Sequence, residues 1–168
     1  GMTYGQQESS VTDVIDDALA LRAMLTQRDA GALVGIAVSG VEVAEAAVQA
    51  VGNLAGDLAA AAGGDGTGRR SRVMERAYAR LDQPYRSWLL TLTPEAVELD
   101  LKAEWQRTVL EIVRDEGREL LEDIPPAAWE GRVVRGHVLT AAHAADRFDR
   151  AVREALPLAF AQHAGVPA

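Results

Sequence analysis

Apolar residues recur at alternating spacings of three and four along a long central stretch of the chain. The set consists of Val34, Ala37, Val41, Ala44, Val48, Val51, Ala55, Leu58 and Ala62. This alternation places all of them on one face of an α-helix for about 30 residues. Because Glu42, Glu45 and Asp57 fall on the other faces, the pattern predicts the core helix of a bundle and argues against a membrane span.

The same helical period continues in the segment 69–92. Pro84 lies inside this segment, which predicts a kink or a short break near Asp82-Gln83. Nearer the start of the chain, Ser10-Val11-Thr12-Asp13 has the pattern of a capping box. It predicts a shorter N-terminal helix that continues through Arg28.

Two more helices are predicted in the second half of the chain. Thr93-Pro94-Glu95 is typical of an N-cap, a first-position proline and a first-turn acid, and it opens a helix over 95–123 that ends before Pro125-Pro126. After a connector that contains Trp129, a last helix runs from about 137 to 156. No strand pattern is present, so the sequence predicts an all-α, up-down four-helix bundle with an additional short N-terminal helix.

Small residues around 52–64 refine this picture. Gly52 and Gly56 form a small-xxx-small pair, which lets a neighbouring helix approach closely and predicts a helix-packing seam. The seam could lie inside the monomer or between partners. The loop "GGDGTG", which begins at Gly63, is a weak match to a phosphate loop. It follows a helix and lacks the Lys-Ser/Thr pair, so we interpret it as a helix-to-helix connection.

Composition narrows the class of protein. The 168 residues are 48% apolar but only 5% aromatic, contain no cysteine and carry a formal net charge of −8. These values indicate a core of small side chains and argue against a disulfide framework or a cysteine-based site. We expect a cytoplasmic protein, with residues 1–11 as a disordered tag or leader, 12–160 as one helical-bundle domain and 161–168 as a disordered tail.

A catalytic or metal-dependent bundle is disfavoured. A di-iron bundle needs Glu-x-x-His motifs, and the sequence has none. His143 and Asp146 are one turn apart and would suit a weak metal site or a general base, but an ordinary surface pair has the same spacing. The acid-rich helix 95–123 and the mixed charges of 146–154 are interpreted as solvated faces. We therefore predict no catalytic residue, no metal, no cofactor, no small-molecule substrate and no enzymatic activity.

One stripe of basic residues stands out in a chain whose net charge is negative. Arg69, Arg72, Arg76 and Arg80 share one helix edge, with Arg70 beside them. Guanidinium groups in a row suit the phosphates of a nucleic-acid backbone. The alternative is that they pair with the acidic helix 95–123. Arg132 and Arg135, in the glycine-bracketed loop "EGRVVRGH", form a second and more mobile basic spot; these seven arginines are the candidate DNA-backbone contacts.

Four stretches then resemble a known family. They are "AVGNLAGDLAAAAGGDG", "RAYARLDQPYRSWLLTL", "AEWQRTVLEIVRDEGRELL" and "AADRFDRAVREALP". In consistent order over roughly residues 12–160, they resemble the C-terminal helical domain of the CasA-type large subunit of Cascade, the type I-E CRISPR surveillance complex. The most specific part is the stretch 81–89, "Leu-Asp-x-Pro-Tyr-Arg-x-Trp-Leu".

The resemblance implies a non-catalytic bundle that docks on the small-subunit (CasB) dimer and contacts the backbone of crRNA-guided target DNA, in particular the displaced strand. The resemblance also implies that the helicase-nuclease recruited by the complex is a further partner. Recognition of the protospacer-adjacent motif belongs to the family's larger N-terminal domain and is not assigned to this chain. The alternative is a purely structural interaction or dimerisation module without DNA contact.

Overall fold

The computed structural model describes residues 30–93, 95, 98–134 and 136–163. The predicted N-terminal helix and the predicted leader 1–11 lie outside the described residues. Within them the predicted all-α bundle is confirmed. The helices are α1 (Ala30–Ala61), α2 (Gly66–Leu89), α3 (Glu98–Asp123), the short α4 (Pro126–Trp129) and α5 (Ala141–His163), and two short strands, β1 (Val133–Val134) and β2 (His137–Val138), precede α5.

Helix α1 is the centre of the bundle, because it packs against α2, α3 and α5. The predicted stripe lies in the core from Ala37 to Leu58, whereas Val34 at its start is 38% exposed. By length and composition, Leu33–Ala61 is apolar enough to cross a membrane, but more than half of its most apolar window is buried inside the bundle. Its apolar surface is therefore used in helix packing, as the sequence pattern predicts.

The connection between α1 and α2 is a capped turn. Gly63 has a φ of +85°, a conformation that favours glycine after a helix C-terminus. The carboxylate of Asp65 accepts a hydrogen bond from the Gly68 backbone N–H at 3.0 Å and caps α2. The first half of "GGDGTG" is thus a helix-to-helix connection, as predicted, and its second half, 66–68, forms the first turn of α2.

The sequence predicts a kink or a short break near Asp82-Gln83; the break does not occur, because helix α2 continues through Pro84 to Leu89. Proline removes one backbone donor and crowds the preceding turn. Leu81, which precedes the proline, is buried, and so are Tyr85 and Trp88, which follow it. Their packing holds the helical conformation across the proline.

Three aromatic rings fasten α1, α2 and α3 together. The ring centroids of Tyr85, Trp88 and Trp105 lie 5.2–5.8 Å apart. The Tyr85 hydroxyl donates to the Ala37 carbonyl at 2.6 Å, and the Trp105 indole donates to the Gly40 carbonyl at 2.7 Å. A Cβ at Gly40 would lie 2.5 Å from the Trp88 ring, so this close approach requires glycine.

The segment before α5 corrects two predictions. Strands β1 and β2 form an antiparallel pair, Val133 opposite Val138, where no strand was predicted. The last helix therefore begins at Ala141 and not near 137, and it continues to His163, which includes the first residues of the predicted tail. Positive φ angles at Gly131 and Gly136 reverse the chain. A two-residue strand is too short to show the alternation that predicts strands.

Candidate functional site

The arginine stripe of α2 faces the acidic helix α3. Arg69 forms an ion pair with Asp123, and Arg76 forms one with Glu119. Arg80 donates to Glu116 at 2.8 Å and to Asp115 at 3.2 Å. The hydrogen bond to Glu116 raises the pKa of Arg80 above its usual value. Three of the four stripe arginines therefore take the alternative that the sequence left open, pairing with the neighbouring helix.

Glu116 is the buried member of this network. Its side chain is 1% exposed, and it accepts from Arg80 and also lies 3.5 Å from the Arg76 Nε. A buried carboxylate needs compensating charge and hydrogen bonds, and the two guanidinium groups supply both. The same contacts join α2 to α3, so part of the stripe is structural.

Two arginines of the same segment, Arg70 and Arg72, form no ion pair with an acidic residue among those that the structure describes. Arg70 donates from Nε to the Asn53 side-chain oxygen at 2.7 Å and is partly buried. Arg72 is exposed, and no ion pair to it is found within the described part of the chain. Arg132 is exposed at the foot of the hairpin, while Arg135 lies outside the described residues.

The glycine seam lies between α1 and α2 of the same chain. A Cβ at Gly52 would be 2.4 Å from Met74 Cγ, and one at Gly56 would be 2.9 Å from the Gly66 carbonyl oxygen. Of the two locations that the sequence left open, the structure places these glycines at an internal helix contact. They bring α2 close enough to α1 for Arg70 to reach Asn53.

A groove of about 690 Å³ lies between α1, β2 and α5. It was not predicted, because its charged residues Asp146, Arg147, Arg150 and Glu154 were interpreted as a solvated face. The sequence did contain a signal for the groove: these residues follow His143 at spacings of three and four, which place them on one edge of α5. No group of three or more acidic, histidine or cysteine side chains in the described ranges is arranged to hold a metal ion.

The geometry defines a class first: an all-α bundle domain whose helices are joined by an aromatic cluster and by ion pairs. Residues 1–115 match the family model for CRISPR-associated protein Cse1. The chain belongs to the Cse1 family, which confirms the predicted CasA-type resemblance. No curated protein matches the chain.

Solved structures agree with the family. The crystal structure of Thermobifida fusca Cse1 is similar, with 38% sequence identity and a TM-score of 0.62 over 73% of this chain. The alignment spans 23% of the Thermobifida chain. The present chain therefore corresponds to a domain-sized part of that protein.

Proposed function

We propose that this chain acts as the C-terminal bundle domain of a Cascade large subunit, docking on the small subunits and contacting the backbone of target or displaced DNA. The observation that carries the proposal is the Cse1 family match over residues 1–115, together with the bundle fold. In RNA-guided complexes the base pairing reads sequence, while protein supplies scaffolding and backbone contacts. An all-α bundle suits those two roles.

DNA contact by α2 falls mainly to Arg70 and Arg72. A phosphate that approached Arg69, Arg76 or Arg80 would compete with carboxylates already in place. Among the described residues Arg72 has no ion pair, and Arg70 donates to the neutral Asn53 amide. We therefore place the sequence-independent DNA contact at the start of α2.

A second candidate function is a purely structural interaction module without DNA contact. The ion pairs between α2 and α3 favour it, because they give most of the stripe a structural role. Under this alternative the chain still binds protein partners, but neither Arg70 nor Arg72 affects binding to DNA.

Reconstitution tests the docking role. The chain is mixed with a guide-loaded Cascade core that lacks its large subunit, and co-elution is followed by size-exclusion chromatography at low and moderate salt. Co-elution with the core is expected. Failure at both salts, by a chain shown to be folded, would contradict docking by this domain alone. A parallel mixture with the isolated small-subunit dimer locates the contact.

Salt dependence of DNA binding separates the two candidates. The double variant Arg70→Gln/Arg72→Gln is compared with Arg107→Gln/Arg118→Gln, which removes the same charge from exposed positions of α3. If Arg70 and Arg72 contact phosphates, the slope of log K against log salt for single-stranded DNA falls by about 1.4, about 0.7 per lost contact. Equal slopes for both variants would leave the structural module as the function.

A further inference from the structure

The groove between α1, β2 and α5 has the size and lining of a ligand site. Its volume of about 690 Å³ lies in the range that small-molecule sites occupy. The floor is apolar and comes from Ala50 and Leu54 of α1, from Leu139 after β2 and from Ala151 of α5. An apolar floor beside charged side chains suits a ligand that has both an apolar and a charged part.

Two guanidinium groups face this groove from α5. Arg150 forms no ion pair or hydrogen bond with any described residue. Arg147 makes one long contact, 3.4 Å from Nη1 to the Val134 carbonyl oxygen. Both side chains therefore retain donors, in an arrangement that suits a phosphate group.

The carboxylates in the groove narrow the class of ligand. Asp146 and Glu154 each lie four residues from Arg150, a spacing that allows ion pairs on a helix. Within the described residues, neither is paired with it. A simple anion would be repelled by two carboxylates, whereas a ligand with an anionic group and hydrogen-bond donors would satisfy both kinds of side chain. A nucleotide has this combination, since its phosphate is anionic and its base and sugar carry donors.

The remaining polar groups suit a base. His137 and His143 line the same groove, and histidine rings serve as stacking surfaces for unpaired bases. Asn53 also lines it. Because Arg70 donates to its side-chain oxygen, the Asn53 amide group remains as a donor for the ligand.

We propose that this groove binds one nucleotide unit, with its phosphate at Arg147 and Arg150 and its base on the apolar floor beside the two imidazoles. The unit is a free mononucleotide or one residue of a single strand, which share this chemistry. The proposal does not depend on docking to Cascade, because all the groups that form the groove belong to this chain.

The test uses the purified 168-residue chain with three probes: dAMP, a fluorescein-labelled ten-residue oligodeoxyadenylate, and inorganic phosphate. Binding is followed by calorimetry for dAMP and phosphate and by fluorescence anisotropy for the oligonucleotide. Arg150→Gln is expected to weaken nucleotide binding by about tenfold, the loss of one charged hydrogen-bonding partner. Arg153→Gln, on the same helix but outside the groove, is the matched control and leaves affinity unchanged.

The variants Asp146→Asn and Glu154→Gln separate a nucleotide site from a site for phosphate alone. If the carboxylates accept hydrogen bonds from the base or sugar, these changes weaken nucleotide binding. If they tighten it, or if phosphate binds as well as dAMP, the nucleotide assignment is wrong. Equal losses in Arg150→Gln and Arg153→Gln also overturn it, since they indicate diffuse attraction. Binding of the oligonucleotide without dAMP identifies the strand as the source of the unit.

Discussion

Tyr85 shows how one side chain makes the fold sensitive to alkaline pH. Its hydroxyl is buried and donates to the Ala37 carbonyl at 2.6 Å, and burial raises the pKa of Tyr85. The unfolded chain releases this proton near its ordinary pKa of 10, while the folded chain holds it. The contribution of the protonated Tyr85 hydroxyl to the free energy of folding is therefore complete below pH 10. It is lost as the pH rises above that value.

Tyr85→Phe tests this directly. At pH 8 we expect the variant to lose about 1 kcal/mol of unfolding free energy, the usual net value of one hydrogen bond. At pH 11 the difference from wild type should shrink or reverse, because wild type alone carries the alkaline penalty of Tyr85. Urea unfolding at the two pH values measures both quantities. A difference that is the same at pH 8 and pH 11 would contradict the proton linkage.

At the scale of elements, the contact between α2 and α3 includes a buried carboxylate, Glu116. Glu116 is 1% exposed and accepts from Arg80, with Arg76 close by. Glu116→Gln removes the charge but keeps the shape, so Arg80 loses the shorter of its two ion pairs and Arg76 loses the longer of its two carboxylate contacts. We expect a loss of about 2 kcal/mol in the free energy of unfolding, measured in urea at pH 7.

Glu119→Gln is the matched control for that prediction. Glu119 lies on the same helix and pairs with Arg76, but its side chain is 50% exposed. Solvent weakens such a pair, so the variant should lose less than about 1 kcal/mol. Comparable losses in the two variants would show that burial of Glu116 does not strengthen the contact between α2 and α3.

The sequence predicted the long helices because their apolar residues repeat over many turns. It could not predict the hairpin before α5, because two residues per strand carry no period. It predicted a kink or a short break near Asp82-Gln83, and the break does not occur, since a local rule for proline does not include the packing of Tyr85 and Trp88 on α1 and α3. The missed hairpin is thus a matter of strand length, whereas the continuity of α2 depends on contacts with other helices.

The candidate site, like the fold, could be predicted only in part from the sequence. The spacing of Arg69, Arg76 and Arg80 correctly placed them on one edge of a helix, and the pairing with α3 was one of the two stated alternatives. Which acid meets which arginine depends on the relative register of α2 and α3, and a single sequence does not contain it. The groove was missed because its charged residues were interpreted as a solvated face, and their role depends on how α1, β2 and α5 come together.

At the scale of the whole molecule, the contact between α1 and α2 decides whether the glycine seam serves folding or assembly. The structure places Gly56 with its Cα facing the Gly66 backbone, and even a methyl group would lie 2.9 Å from that carbonyl oxygen. Gly56→Leu must push α2 away from the central helix. We expect a loss of at least about 3 kcal/mol in unfolding free energy, the upper part of the range for overpacking.

Gly35→Ala provides the contrast on the same helix. Nothing lies within 4 Å of a Cβ at Gly35, so this variant should gain up to about 1 kcal/mol from the better helix propensity of alanine. Urea unfolding and light scattering after size-exclusion chromatography measure stability and oligomeric state together. The contrary result is a Gly56→Leu variant that keeps full stability but no longer binds the small subunits. It would mean that α2 separates from α1 in the assembled complex. The seam would then be an assembly surface, because a contact needed for folding cannot be enlarged without a loss of stability.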